Sequence, residues 1–171
     1  MEDLSTMGKI SVAILFGGRS VEHGVSVNSA RNIAQYIDRK KFNIVPIGIT
    51  QQGVWYLTKE VNKDIQKGKP LKVSLDPSRP HLLVGTKKLK FDIAFPVLHG
   101  TDGEDGSIQG LLKSLSIPIV GTSVLGSALA MNKIVAKKLL QQAGIPVTAF
   151  TTSLGSDKTQ PVYEDLVKQL G

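Results

Sequence analysis

Two glycine-rich loops contain most of the side chains in this sequence that have the chemistry of a functional site. The first reads GGRSVEHGVS over residues 17–26 and contains Glu22 and His23. The second reads HGTDGEDG over residues 99–106. A carboxylate in such a loop can bind a substrate ammonium by a charge-assisted hydrogen bond, or act as a base where burial raises its pKa. The polar side chains of the second loop are His99, Asp102, Glu104 and Asp105.

Each of these residues also has a structural interpretation, which the loops alone leave open. Glu22 would interact with the dipole of the helix that follows it. His99 would form a hydrogen bond inside a turn. Glu104 and Asp105 fit a helix cap and loop organisers better than metal ligands. Lys133, farther along the chain, would be an ordinary solvated lysine.

Several other kinds of site are disfavoured by the residues present. The 171 residues include no cysteine and three histidines, which excludes disulfides and zinc–thiolate sites and disfavours a histidine metal site. The Gly17-Gly18 turn lacks the spacing of a dinucleotide fingerprint, and the patterns GxxxxGK[ST] and GxSxG are absent. No acidic residue follows the second predicted strand, as a ribose-binding site would need.

The elements that position the two loops follow from the apolar pattern. KISVAILF, from Lys9, predicts a buried strand, VSVNSARNIAQYI an amphipathic helix, and FNIVPIGIT a second strand. This strand–helix–strand order indicates a parallel sheet. A further strand over about 91–98 precedes the second loop and a helix over about 106–115, with Asp105 as its N-cap. Ligands bind beyond the carboxyl ends of parallel strands, so we expect Glu22 and His99 to approach one crevice.

The remaining segments are less regular. In residues 51–90, GVWYL and HLLVG predict two short edge strands. IPIV and VTAFTT predict short strands, and SVLGSALAM and NKIVAKKLLQQAG predict helices. After a loop from Leu154, Val162, Leu166, Val167 and Leu170 would form the inward face of a last helix. We place a domain boundary near residues 129–133, after a complete three-layer α/β unit. The abrupt end at Gly171 indicates a truncated second domain.

The net charge of +7 comes largely from one segment. Residues 61–90 contain eight basic and two acidic side chains, without interleaved aromatics or an arginine cluster. This pattern favours a solvated surface over nucleic-acid binding. The N-terminal MEDLSTMGK is not a secretory signal and no apolar run is long enough to span a membrane. We therefore expect a soluble, cytoplasmic protein.

Four blocks of sequence, in order, resemble the N-terminal half of the D-alanine:D-alanine ligases of bacterial cell-wall synthesis. The resemblance covers about residues 9–147, and HGTDGEDGSIQG is its most specific part. Residues 51–90 resemble the insertion of the longer members. One departure is Asn132, where the family usually has aspartate before Lys133. The blocks are FGGRSVEHGVSVNSA, FPVLHGTDGEDGSIQGLL, IPIVGTSVLGSALAMNK and KKLLQQAGIPV.

The resemblance implies a fold and a reaction. The fold is a Rossmann-like preATP-grasp α/β/α domain with a mainly parallel sheet over residues 1–130, followed over 131–171 by the truncated start of an ATP-grasp central domain. In the reaction, ATP phosphorylates the carboxylate of one D-alanine, and the amine of a second D-alanine attacks the acyl phosphate. Magnesium, or manganese, is required, and its ligands lie outside this chain.

Residue roles and partners are implied in the same way. Glu22 would hold the ammonium of the first D-alanine, Val25 would pack near its methyl group, His99 would line the same pocket and Lys133 would contact the ATP phosphates. The whole enzyme would be a cytoplasmic homodimer that binds two D-alanine molecules and neither nucleic acid nor membrane. The alternatives are a D-alanine:D-lactate or D-alanine:D-serine ligase of the same family, or a standalone binding or dimerisation module.

The 171-residue chain alone is predicted to be inactive. Phosphoryl transfer depends on positioning and electrostatic stabilisation, and the resemblance assigns most of the groups that provide them to the other half of the enzyme. An assay of ADP release should therefore show no dependence on D-alanine. D-alanine-dependent ADP formation by this chain would contradict the prediction.

Overall fold

The computed structural model describes residues 8–78, 81–152 and 162–170. They form two compact units, divided between Ala128 and Leu129. In the described part of the chain, no helix is long and apolar enough to cross a membrane. The strands are β1 (Ile10–Gly17), β2 (Phe42–Ile49), β3 (Trp55–Leu57), β4 (Lys69–Ser74), β5 (His81–Val84), β6 (Lys87–Lys88) and β7 (Ile93–Pro96). The α-helices are α1 (His23–Tyr36), α2 (Ser107–Ser114), α3 (Val124–Met131), α4 (Lys133–Gln142) and α5 (Tyr163–Leu170).

The first unit is built around β1, which pairs in parallel with β2 on one side and β7 on the other. All eight residues of β1 pair with β2, from Ile10 opposite Phe42 to Gly17 opposite Ile49. This arrangement confirms the predicted strand–helix–strand unit. The strand predicted at IPIV is reduced to a single parallel bridge between Ile119 and Ala94 on the outer side of β7.

The segment predicted to hold two edge strands instead extends the sheet by four antiparallel strands, giving the order β6-β5-β4-β3-β2-β1-β7. The predicted strands correspond to β3 and β5, but the edge prediction is wrong because both lie inside the sheet. The strand between them, β4, was missed although Leu71 and Val73 alternate with Lys72 and Ser74, because the run is short and lies in a lysine-rich segment. The sheet is therefore mixed, with its parallel strands confined to β2, β1 and β7.

Two lysines of this segment lie on the edge of the sheet. Lys87 and Lys88 form the two-residue edge strand β6, and both are exposed. Lysines on an edge strand hinder pairing with the edge of another sheet. These two lysines thus fit a solvated edge.

The alternating side chains of β1 fill the two faces of the sheet, which confirms the α/β/α layers. Val12, Ile14 and Phe16 belong to the core cluster that contains residues of α1. Ala13 and Leu15 belong to the cluster that contains residues of α2. A strand buried on both faces reads as a continuous apolar run, which is why β1 was recognisable. The helix residues buried in these clusters are Val27 and Ala30 of α1 and Ile108 and Leu112 of α2.

A serine on α1 ties the helix to the ends of two strands. Ser26 has no exposed surface. Its hydroxyl accepts a hydrogen bond from the backbone N–H of Gly17, at 2.8 Å, and donates one to the carbonyl of Val97, at 2.5 Å. Gly17 ends β1 and Val97 follows β7 directly. One side chain therefore fixes the first turn of α1 against the carboxyl ends of both strands.

The second unit contains α4 and α5. The side chain of Asn132 caps α4 by accepting a hydrogen bond from the N–H of Val135, at 3.2 Å. Asparagine and aspartate are about equally good N-caps, so the departure at position 132 preserves the cap. Gly144, with φ of +73°, follows the end of α4, as predicted.

Two predictions for the second unit are wrong or incomplete. Residues 147–152, predicted as a strand, form no strand in the structure. The last predicted helix is present as α5, but Val162, Val167 and Leu170 of its predicted inward face are exposed. A strand needs a partner edge and a buried helix face needs a covering element, and local sequence encodes neither. The predicted loop from Leu154 lies outside the described residues.

Replacing Ser26 with alanine should lower the free energy of unfolding by about 2 to 4 kcal/mol, because it leaves the N–H of Gly17 and the carbonyl of Val97 buried without partners. Urea unfolding measures the change. Ser114→Ala is the matched control, since the Ser114 hydroxyl is exposed and donates to its own helix. The control should stay within about 0.5 kcal/mol of the parent. Equal stability of the two variants would contradict the assigned function of Ser26.

The outer strands contain one buried titratable side chain, His81 on β5, which is 7% exposed. Its ring packs on Phe91 with the ring centroids 5.2 Å apart. Burial, and in smaller part the charge of Lys88, lower the pKa of His81 below its ordinary value of 6.5, against a raising effect of its hydrogen bond to the Leu82 carbonyl. Below pH 6.5 the unfolded chain therefore binds a proton that the folded chain resists.

We expect His81 to make the folded chain less stable as the pH falls from 6.5 toward its lowered pKa. Urea unfolding at about pH 7.5 and about pH 5.5 should show a larger acid-induced loss for the parent than for His81→Gln, which cannot titrate. The quantity compared is the change in unfolding free energy between the two pH values, so the pH-independent loss of packing in His81→Gln cancels. Identical pH dependence in both proteins would show that His81 is not the responsible group.

Candidate functional site

A cleft of about 360 Å³ lies at the carboxyl ends of the parallel strands. Its walls come from the ends of β1 and β2, the loop that follows β7 and the start of α2. A crevice at this edge is predicted from the strand order; of the two residues expected there, His99 lines the cleft and Glu22 does not. The lining residues include Gly17, Gly18, Arg19, Ile49, Trp55, Leu98, His99, Asp102, Ser107 and Ile108.

The first loop leaves β1 through a turn that requires glycine. Gly17 and Gly18 both have φ near +90°, which side-chain-bearing residues rarely adopt. A Cβ at Gly17 would also collide with the backbone carbonyl of Ile49. The turn directs the chain from the end of β1 across the top of the sheet and into α1, which begins directly after Glu22.

Glu22 occupies the N-cap position of α1, but its side chain makes no capping hydrogen bond. Its carboxylate instead lies over the second loop. A Cβ built on Gly100 would be 2.5 Å from Glu22 Oε2 and 2.6 Å from Ser20 Oγ. The structure thus brings Glu22 beside the loop that contains His99, as the sequence predicts. The carboxylate is not used to hold the helix.

His99 is the first residue of the second loop and lines the cleft. Its side chain is about one third exposed. Its Nε2 is 3.1 Å from the hydroxyl of Ser29, and its Nδ1 is 3.9 Å from a carboxylate oxygen of Glu104. The other oxygen of Glu104 accepts a hydrogen bond from the N–H of Gly100, at 2.8 Å. Glu104 is therefore a loop organiser that also faces the ring of His99.

Two of the predicted residues of the first unit, Glu22 and Val25, do not line the cleft. Val25, in the first turn of α1, is 52% exposed, and neither it nor Glu22 is among the described residues that line the cleft. Lys133, the first residue of α4, belongs to the second unit, where its ammonium donates to the carbonyl of Ala130, at 3.2 Å. The residues that the first unit brings together are therefore Glu22 and His99.

Asp105 organises the second loop. One oxygen accepts a hydrogen bond from the N–H of Asp102 and the other from the N–H of Ser107, both at 2.9 Å. The bond from Ser107 first, and then that from Asp102, lower the pKa of Asp105 below 3.8. The stabilisation is therefore present above pH 3.8 and is lost as the pH falls through the lowered pKa. The predicted cap is wrong, because the N-cap of α2 is Gly106 with φ of +99°.

An ion pair that sequence reasoning missed joins the two loops. The guanidinium of Arg19 donates two hydrogen bonds, at 2.7 and 3.0 Å, to one oxygen of Asp102. Both residues line the cleft. They are 83 positions apart, so local sequence gives no sign that they meet. Ser26 and Ser29 were also missed, although their spacing from Glu22, four and seven residues, places all three on one helical face.

The described residues offer no evident place for a metal ion. Within the ranges that the structure covers, no group of three or more histidine, aspartate or glutamate side chains is arranged to hold one. The first unit brings the Glu22 carboxylate, which makes no capping hydrogen bond, beside the loop that contains the imidazole of His99. Such an arrangement suits recognition of a small cationic group.

Comparison with known proteins identifies relatives of this chain. The family model described as D-ala D-ala ligase N-terminus matches residues 11–122. The D-alanine–D-alanine ligase of Sodalis glossinidius is 40% identical over 96% of this chain and 49% of its own length. The chain thus spans about half the length of the curated relatives it matches.

Solved structures of ligases are also similar to this chain. The D-alanine–D-alanine ligase from Coxiella burnetii is 34% identical, with a TM-score of 0.84 over 94% of this chain and 50% of that one. The VanG D-Ala:D-Ser ligase from Enterococcus faecalis is 40% identical, with a TM-score of 0.74 over 82% of this chain and 44% of that one.

Replacing Asp105 with alanine should loosen the second loop, because the amides of Asp102 and Ser107 lose their acceptors. We expect their hydrogen exchange to accelerate by about tenfold, equivalent to about 1.4 kcal/mol. Asp76→Ala is the matched control, since Asp76 accepts from the N–H of Ser78 in a separate turn. It should accelerate Ser78 and leave the second loop unchanged. Unchanged exchange of both loop amides in Asp105→Ala would contradict this assignment.

Proposed function

Since this chain belongs to the D-ala D-ala ligase N-terminus family, we propose that it is the first-substrate-binding part of an ATP-dependent ligase. The ligase joins two D-alanine molecules into a dipeptide for peptidoglycan precursors. The observation that carries the proposal is the Glu22 carboxylate, which lies over Gly100 beside His99 and makes no capping hydrogen bond.

Glu22 binds the ammonium of the first D-alanine. A carboxylate held at a loop junction gives an amino acid one fixed anchor through a charge-assisted hydrogen bond. Val25 lies three residues later in the first turn of α1 and is half exposed, which fits contact with a methyl group. His99 forms the neighbouring wall. These three residues orient the substrate so that its carboxylate points away from Glu22, toward the group that activates it.

The reaction takes place at that carboxylate. ATP supplies the phosphoryl group that converts it to an acyl phosphate. The amine of the second D-alanine then forms the peptide bond, phosphate leaves and the amine loses a proton. The residues of this chain contribute by binding and orienting the first substrate. The described residues do not form the oxygen-rich set that Mg²⁺ requires, and the magnesium ligands are assigned to the other half of the enzyme.

The domain organisation is part of the proposal. Residues 1–130 are assigned to the preATP-grasp substrate-binding domain and residues 131–171 to the start of the ATP-grasp central domain. The family match ends at residue 122, and the two compact units divide between Ala128 and Leu129, which supports a boundary in this region. Lys133, exposed at the start of α4, is assigned to the ATP phosphates. The whole enzyme is proposed to be a cytoplasmic homodimer.

A D-alanine:D-serine ligase is the second candidate, favoured by the similarity to VanG. The first substrate is the same in both cases, so Glu22 and His99 serve either reaction. Product analysis separates the two candidates. A full-length enzyme that carries this chain, supplied with ATP and equal D-alanine and D-serine, should form the D-alanine dipeptide. Predominant formation of D-alanyl-D-serine would favour the second candidate.

In a full-length ligase that carries this chain, Glu22→Gln should weaken binding of the first D-alanine by about tenfold to a hundredfold, because a neutral amide replaces the partner of an ammonium. ATP binding should be unchanged. Isothermal titration with each ligand measures both affinities.

Glu60→Gln is the control for this variant. It makes the same change of charge at an exposed site where Glu60 accepts a hydrogen bond from Asn62, and it should alter neither affinity. If Glu22→Gln weakened ATP and D-alanine binding equally, Glu22 would not be the ammonium site.

A further inference from the structure

Both ring nitrogens of His99 face groups of the protein. Nε2 is within hydrogen-bonding distance of the Ser29 hydroxyl, at 3.1 Å. Nδ1 faces the carboxylate of Glu104, at 3.9 Å. That carboxylate has a fixed position because its second oxygen accepts a hydrogen bond from the N–H of Gly100.

The charge of Glu104 and the hydroxyl of Ser29 together determine which nitrogen carries the proton when the ring is neutral. An ionised carboxylate can only accept hydrogen bonds, and its negative charge repels a lone pair. The nitrogen that faces Glu104, Nδ1, is therefore favoured to carry the proton. Nε2 then holds the lone pair and accepts. A hydroxyl can donate or accept, and beside this acceptor the Ser29 hydroxyl must donate.

The backbone holds Ser29 in the position that this bond requires. Ser29 lies three residues after Ser26 on the same face of α1. Ser26 fixes that face to the carbonyl of Val97, two residues before His99. The two serines thus contact the same short stretch of chain, one through its backbone and the other through its imidazole.

We propose that Ser29 is a positioning residue that holds neutral His99 in the Nδ1–H tautomer. With Nε2 accepting from Ser29 and the Nδ1 proton facing Glu104, the ring has no free nitrogen lone pair to offer a substrate. The consequence for substrate rests on the proposed function: Glu22 is then the ammonium's hydrogen-bond acceptor in this unit, and His99 limits the space beside it.

The tautomer can be measured in the 171-residue chain without substrate. Nitrogen-15 NMR of labelled histidine distinguishes the ring nitrogen that bears hydrogen from the one that bears a lone pair. The chain has three histidines, and the loss of signals in His99→Gln identifies those of His99. Spectra are recorded at about pH 8.5, where imidazoles of ordinary pKa are neutral.

We expect His99 of the parent chain in the Nδ1–H form, which is the less favoured tautomer of free histidine in water. Ser29→Ala should shift the population toward Nε2–H, and Ser29→Thr, which keeps a hydroxyl, should restore the parent spectrum. Backbone amide spectra should show the same fold in all three proteins.

An Nε2–H tautomer in the parent, or a Ser29→Ala variant whose tautomer population equals that of the parent, would overturn the proposal. Failure of Ser29→Thr to restore the parent spectrum in a folded chain would also count against it. Because no ligand or activity enters the measurement, these outcomes are distinct from failure of the proposed ligase function.

Discussion

The buried hydroxyl of Ser26 joins three pieces of backbone that sequence alone keeps far apart. It accepts from Gly17 at the end of β1 and donates to Val97 just after β7, while belonging to the first turns of α1. Each of these backbone groups would cost about 1 to 3 kcal/mol if buried without a partner. The contact therefore sets where α1 begins relative to both strand ends, and the site residues on α1 depend on it.

The location of the candidate site follows from that constraint and from the parallel strands. The two glycine-rich loops leave the sheet at the same edge because β1 and β7 are parallel neighbours. Glu22 reaches across to Gly100, and Ser29 reaches His99, so the second loop is contacted from α1 at two points. Arg19 and Asp102 add an exposed ion pair between the loops, which contributes little stability in water. The buried hydrogen bonds of Ser26, rather than this ion pair, hold the starts of the loops together.

The parts of the fold that could be predicted are those in which one segment carries its own pattern. β1 is a continuous apolar run, and α1 and α2 have apolar residues at helical spacing. β4 was missed although Leu71 and Val73 alternate with polar residues, because the run is short and its place depends on partner strands. The predicted strand at IPIV became one bridge at Ile119, and 147–152 formed none, because pairing is decided by what lies alongside.

The candidate site was predictable to a similar extent. Glu22 and His99 could be brought together from strand order, since parallel strands direct their following loops to one edge. The partners of His99 could not, because Ser29 is 70 positions away and only the packing of α1 on the sheet brings them into contact. Asp105 shows the limit of local rules: its carboxylate binds the amide of Ser107, yet Gly106 takes the cap position.

The central claim is that α1, held by Ser26, presents Glu22 to the ammonium of the first substrate. A crystal structure of the full-length ligase that carries this chain, with D-alanine bound, tests it most directly. We expect the ammonium nitrogen to lie about 2.7–2.9 Å from the Glu22 carboxylate. The methyl group should contact Val25, and no ring nitrogen of His99 should form a hydrogen bond to the substrate. An ammonium bound elsewhere, with the Glu22 carboxylate turned to solvent, would contradict it.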